Sequence, residues 1–391
     1  MQSSADVVVV GGGVIGTAVT YYLARQGVDV CLVEQNDIAS GTSSACAIGV
    51  ALQTKPPGPK QELARASLDL YRGLTEELES DIEFANEGGM LVAENEEQLA
   101  LIAKKAEKAS KAGLAIELLS AEEAHQHQPN LAPHIVGATY CADDATVNPY
   151  KLAFAFVDAA RRVGAAVYTE TEVTAIERQG EDITAVVTSR GRINTKTVVN
   201  AAGPWAPLLA EMAGVDLPVK PRKGELLVTE PGPPLIHGVV VSAGYLLSKA
   251  MPKGSNGGMT AGLWTGQTGR GNLLVGSTRE FAGYDRSSSY EGMQALLHHI
   301  TRLIPAARNV HVLRFYAGLR PASSDGLPIL GRSSQVPGFV LANGHEGDGI
   351  ALSPVTGKRI ADLLTGKITE DLLAPFAPGR WHEGANNEEP A

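Results

Sequence analysis

Asp6-Val-Val-Val-Val-Gly-Gly-Gly-Val-Ile-Gly16 runs through Thr17-Ala-Val-Thr-Tyr-Tyr-Leu-Ala-Arg25 to Val28-Asp-Val-Cys-Leu-Val-Glu34, and this stretch decides the fold. Four β-branched residues, a glycine turn, a run of small and apolar residues and a second apolar run ending on an acid spell strand, loop, helix and strand. Gly11 makes the tight turn, Gly13 lets a pyrophosphate approach the backbone, and Gly16 lets the helix pack on the strand. Val14 and Ile15 open the helix, whose free N–H groups and positive dipole end face the phosphates. Glu34, followed by Gln35, stands roughly 20 residues further on, where a carboxylate accepts a ribose hydroxyl and repels a 2′-phosphate. Residues 7 to 24 carry no charge, as a membrane span would, but three consecutive glycines weaken a helix interior. The unit reads as a dinucleotide site.

The chain has 391 residues, enough for two domains, with 44% hydrophobic and 19% charged residues in an ordinary globular balance. A net charge of −10 argues against sequence-independent nucleic-acid binding. No Lys or Arg precedes Arg25, and the first apolar run is already the dinucleotide strand. A secretory signal is therefore not expected, and the cytoplasm is the expected compartment. Three dispersed cysteines, Cys31, Cys46 and Cys141, make no disulfide framework and are too few to ligate an iron–sulfur cluster. Any such relay belongs on another polypeptide.

Beyond Glu34, the loop Asp37–Gly49 is rich in small and hydroxylated residues. Ser40, Gly41, Thr42, Ser43, Ser44, Ala47 and Ile48 would lie against a large flat ligand, where the bland alternative is a surface loop. Helical spacing covers 61–80, 95–112, 150–163, 290–303 and 350–364, and Ser120-Ala-Glu-Glu123 is a capping box. His125 and His127 have no third ligand nearby and read as a solvated helix end. Strands are expected at Ile82–Val92, Val167–Glu177 (which carries Val173, a further cofactor contact), Ile183–Thr188, Thr197–Trp205 (ending in small residues), Val310–Tyr316 and Phe339–Asn343. Short alternating strands fill 219–290, and the loop Lys253–Gly258 reads as mobile. The strand Phe339–Asn343, the loop Gly344-His-Glu-Gly-Asp-Gly349 and the following helix make a second anion site of the same kind as the first. One dinucleotide needs one pyrophosphate site. The later helix terminus, at Gly349 and Ile350, would instead meet the negative charge that a flavin ring acquires on reduction.

Taken together and in order, the glycine motif with Glu34, Gly41-Thr-Ser-Ser44, Asn200-Ala-Ala-Gly-Pro-Trp-Ala206, Gly318-Leu-Arg-Pro321 with Asp325 and Pro328, and Gly344-His345 with Gly349-Ile350 resemble the D-amino-acid oxidase superfamily. The likeness runs from about residue 5 to 370. Met259–Glu280 is most similar to the FAD-carrying subunits of multi-subunit opine, hydroxyproline and proline dehydrogenases. The resemblance implies an α/β fold with a discontinuous Rossmann-like FAD domain (1–80, 150–218 and 325–378), an inserted antiparallel substrate domain (81–149 and 219–324) and a polar tail (379–391). It implies non-covalent FAD, with FMN or an iron–sulfur cluster only on partner subunits. A covalent link at Cys46 competes poorly with a buried inert thiol.

By the same resemblance, Ala201, Ala202, Gly203, Trp205, Gly318, Gly344, Gly347 and Asp348 join the cofactor contacts, and Arg320 takes the substrate-carboxylate position. A planar guanidinium fork suits that role, and a structural arginine pinning the Asp325 turn is the alternative. His345 would either lie by the flavin or be a hydrogen-bonded loop histidine. Tyr245, Trp264 and Tyr316, on the substrate sheet or its edge, would either wall the reacting carbon or pack the core. Glu346 and Asp348 would either attract a cationic substrate group or cap the following helix. The expected reaction is oxidation of the C–N bond of a secondary amino acid, an opine or a cyclic imino acid, with electrons passed to partner chains. A self-sufficient glycine- or sarcosine-type oxidase and a non-catalytic FAD scaffold are the alternatives.

Overall fold

The computed structural model describes residues 1–250 and 258–381. Most of the glycine-rich 253–258 loop and the end of the polar tail lie outside the described residues.

The strand Val7–Val10 lies at the heart of a six-stranded sheet, parallel to Val30–Val33 on one side and Thr197–Asn200 on the other. Ala166–Tyr168 extends one edge and Phe339–Asn343 the other, both parallel. Ile329–Arg332 closes the sheet antiparallel. All four residues of Val7–Val10 are buried, as a strand covered on both faces requires. The chain leaves Val7–Val10 and Thr197–Asn200 at neighbouring C-terminal ends, the switch point at which such sheets bind ligands.

Two helices cover this point. Val14–Arg25 follows the glycine turn, and Gly349–Leu364 follows the last strand. They meet at small residues, since a Cβ on Gly357 would stand 2.7–2.8 Å from Ala18. Gly11 has φ +116°, and a Cβ on Gly16 would overlap the Gly11 carbonyl oxygen. The turn therefore closes as tightly as its sequence requires.

A second, eight-stranded sheet is mostly antiparallel. Its longest strands, Val219–Pro231 and Val312–Ser323, pair from Val219 opposite Ser323 to Thr229 opposite Val312. Thr260–Gln267 and Asn272–Arg279 form a hairpin beside them, and helix Tyr290–Leu303 packs on this part of the sheet. This is the α/β architecture expected, a Rossmann-like sheet plus an inserted sheet domain, but four local expectations need correction. Only Gly89–Ala93 of the expected strand 82–92 is extended, because Glu83 and Gly88 adopt positive φ. That strand also pairs parallel with Val239–Ser242, so the inserted sheet is mixed. The run 167–177 breaks where Glu170 turns with φ +50°, and Val173–Gln179 joins a separate three-stranded sheet. The expected strand Val310–Tyr316 starts later and runs on, as Val312–Ser323, through Gly318-Leu-Arg-Pro321.

Candidate active site

A cleft of about 460 Å³ runs between the sheets. At one end it is lined by Gly11, Gly13, Val14, Ile15, Glu34 and Gln35, with Val173 and Ala201, Ala202 and Gly203 alongside. Glu34 Oε2 accepts the Gly12 N–H at 2.6 Å and Oε1 the Asn36 N–H at 2.8 Å, so the acid braces the glycine turn as well as facing the cleft. Ser40, Gly41, Thr42, Ser43 and Ala47 form one wall and Trp205 another. Ser43 Oγ accepts the Val14 N–H at 3.0 Å, and Thr42 Oγ1 donates to the Leu319 carbonyl at 2.6 Å. The loop thus joins the nucleotide helix to the strand that carries Arg320.

Five expected contacts do not line the cleft; they shape it. Gly16 lets its helix close on Gly11. Ser44 Oγ donates to the Gly41 carbonyl at 2.8 Å. Ile48 is buried against Trp264 and Gly266. Gly318 presses on Ala45, and Gly344 turns with φ +72° beside Ile329.

At the other end stand Arg320, Tyr245, Trp264, His345, Glu346, Gly347, Asp348, Gly349 and Ile350. Arg320 is held by Ser277 Oγ at 2.7 Å, the Thr278 carbonyl at 3.2 Å and the Lys223 carbonyl at 3.5 Å. Burial, then the like charges of Arg279 and Arg222, push its pKa down to about 9. Burial and Arg279 push Arg222 down to about 10. Both stay charged at neutral pH; Arg222 is paired with Glu346, so the positive character of this end of the cleft rests on the lining Arg320. The alternative role for Arg320 falls to Arg380, which binds Asp325 through two nitrogens at 2.7 and 3.0 Å.

Tyr245 lies on helix Ala243–Ala250 rather than on the sheet, with the Arg279 guanidinium 4.1 Å from its ring centre. Tyr316 lies on the strand Val312–Ser323 and is not among the cleft-lining residues.

The capping expectation for the two acids does not hold, and both carboxylates have cationic partners within the protein. Glu346 pairs with Arg222, and Asp348 with Lys55 and Lys60. Neither the short turn Glu346–Asp348 nor the helix after it has a side-chain cap. His345 is buried, with Nε2 3.0 Å from Thr356 Oγ1, and burial first, then the Lys60 charge, push it down to about 3. It is a neutral imidazole at any working pH. Burial raises the Cys46 thiol to about 12, and it sits 3.2 Å from the Ser43 carbonyl, an inert thiol rather than a ring nucleophile.

The sequence reading missed Lys55, Ser277, Arg286 and Asn343, which also line the cleft. No local pattern marks Lys55, which precedes an irregular Pro-Pro-Gly run. Asn343 ends a recognisable strand, and that position was the available signal.

The cleft suits FAD on its own evidence. Helices Val14–Arg25 and Gly349–Leu364 both bring uncapped N-termini to it. The buried Asn343 Nδ2 has no hydrogen-bond partner among the described residues. These donors match a ligand rich in acceptors and negative charge at both ends.

A glycine turn braced by a cleft-facing acid at one end, and a second helix terminus beside a buried arginine at the other, give the cleft the features of a dinucleotide-binding oxidoreductase. The chain belongs to the DAO family of FAD-dependent oxidoreductases, whose model matches residues 6–363. It is 31% identical to a glycine oxidase of Bacillus subtilis over 96% of this chain and 97% of that one. It is 30% identical to the hydrogen cyanide synthase subunit HcnC of Pseudomonas aeruginosa over 97% of each. The crystal structure of an L-proline dehydrogenase from P. horikoshii superposes with a TM-score of 0.89 at 27% identity, covering 98% of this chain and 99% of that one. Among the described residues, no helix is long and apolar enough to cross a membrane.

Proposed function

We propose that the chain oxidises the C–N bond of a secondary amino acid of proline, hydroxyproline or opine type, held by its carboxylate on Arg320. The observation that carries this reading is Arg320, a buried guanidinium fixed by three hydrogen bonds and lining the cleft, with the charges of Arg279 and Arg222 near enough to lower its pKa. The Glu346 and Asp348 carboxylates are already paired with cations, so a cationic guanidino group finds no matching charge there.

When bound, FAD supplies the hydride-accepting centre. The chain supplies orientation. Arg320 fixes the carboxylate, while Tyr245 and Trp264 wall the reacting carbon from water. Neutral His345 takes no proton readily, so the amine arrives already deprotonated from solvent. The imine product hydrolyses in water.

Electrons then pass to a partner chain bearing FMN or an iron–sulfur cluster, a reading supported by the HcnC relative, itself named a subunit. A second reading is direct use of oxygen, favoured by a glycine oxidase that matches along almost its whole length. The cysteines are unpaired, as a reducing compartment keeps them, and the cytoplasm is the proposed setting.

Anaerobic bleaching of the purified flavoprotein by prolines, opines and N-methyl amino acids tests the substrate class. No bleaching by any of them overturns that substrate class. Peroxide formation by the chain alone, weighed against dye reduction, separates the two acceptors.

A further inference from the structure

Asp348 holds the N-cap position of helix Gly349–Leu364, yet its side chain makes no capping hydrogen bond. Its carboxylate is drawn to two lysines instead. Lys60 Nζ lies 2.5 Å from Oδ2 and Lys55 Nζ 3.2 Å from Oδ1. Both lysines are themselves anchored, Lys55 to the Ala51 carbonyl at 2.5 Å and Lys60 to the Gly326 carbonyl at 2.9 Å. Side-chain exposure is 2% for Lys55, 9% for Lys60 and 11% for Asp348, so this ion group is shielded from solvent. Asp348 and Lys55 both line the cleft, and Lys60 stands behind them as the second residue of helix Pro59–Tyr71.

An aspartate at this position ordinarily turns back to accept the second or third N–H of its helix. That would place a full negative charge on the groups whose dipole makes the helix terminus attractive to an anion. A buried carboxylate deprived of its cation seeks the nearest donors, and here those are the same N–H groups.

We propose that Lys60, with Lys55, clamps Asp348 away from its own helix, keeping that terminus open to the electron-rich edge of the bound flavin. The clamp thereby sets how readily the flavin accepts negative charge. Lys60 and Lys55 are positioning residues that act through Asp348. The inference depends on the cleft being the FAD site, and it is independent of which amine is oxidised.

Sulfite is the probe, because it adds to a flavin only where the ring can hold the resulting negative charge, and the bleaching reads its dissociation constant without any substrate. In the FAD-loaded protein, Lys60→Met is expected to weaken sulfite binding at least tenfold and to lower the flavin reduction potential. Asp348→Asn added to it is expected to restore both, and Lys60→Arg to preserve both. A double variant as impaired as Lys60→Met overturns the clamp, since the loss then comes from the missing ammonium alone. So does a Lys60→Met dissociation constant within twofold of the parent. Should Lys60→Met fail to fold, Asp348→Asn alone decides: tighter sulfite binding supports the clamp and weaker binding overturns it. A normal sulfite response beside failed amine bleaching would sink the proposed substrate class and leave the clamp standing.

Discussion

The buried Glu225 carboxylate sits so close to Gly292, in the first turn of helix Tyr290–Leu303, that a Cβ there would overlap Oε2. The carboxylate accepts the Ser289 N–H at 2.5 Å, the Ser289 hydroxyl at 3.2 Å and the Thr278 hydroxyl at 3.3 Å. The Thr278 carbonyl in turn holds Arg320. Gly292→Ala should therefore cost about 1–3 kcal/mol of stability by overpacking. It should also weaken carboxylate inhibitors through a displaced Arg320. Urea titration and inhibitor-induced shifts of the flavin spectrum check the two effects on one sample.

Arg320→Met removes the guanidinium and leaves its three wall partners in place. Charge-assisted hydrogen bonds are worth ~1.5–3 kcal/mol, so kcat/KM for an amino acid should fall on the order of 10–100-fold. An amine lacking a carboxylate should be nearly indifferent to the change. Equal losses on both substrates would place Arg320 outside substrate recognition.

Glu34→Ala takes away the acceptor for the Gly12 and Asn36 N–H groups together with a carboxylate that faces the cleft. FAD affinity, measured by titrating the apoprotein, should weaken by ~1–3 kcal/mol. Retained affinity in this variant would mean that the glycine turn needs no brace.

His345 gives a pH signature. Its folded value, about 3, lies below the ordinary value of about 6.5 expected of the unfolded chain. As pH falls below about 6.5, the unfolded state takes up a proton that the folded state refuses. Stability is then lost by up to about 1.4 kcal/mol per unit, and none is lost above that pH. Denaturation midpoints between pH 5 and 7 should slope more steeply for the wild type than for His345→Gln. Parallel profiles would contradict the assignment.

Residues whose role is local were legible in the sequence. The glycine turn, Glu34 and the capping box at Ser120 each depend on a few neighbouring positions, and all three appear in the structure. Arg320 was reached through family resemblance, and its strand runs past the expected end at Tyr316, because glycine and proline do not break an edge strand that is paired along its length. What holds Arg320 is spread over Lys223, Ser277 and Thr278, which only strand pairing brings together. The ion pairs of the acids after His345 were out of reach for the same reason. Their partners, Arg222, Lys55 and Lys60, are more than a hundred positions away, and no spacing rule reaches that far.

The paired strands 219–231 and 312–323 put Arg222 directly opposite Arg320 in one ladder that also forms the border of the larger sheet. That ladder lies wholly within the inserted sheet, so the two guanidinium-bearing positions keep their spacing whatever the cleft admits. At the rim, exposed Tyr284 stacks 6.3 Å from cleft-lining Trp205 and donates its hydroxyl to the Pro204 carbonyl at 3.2 Å, which ties that edge of the opening to the loop after Asn200.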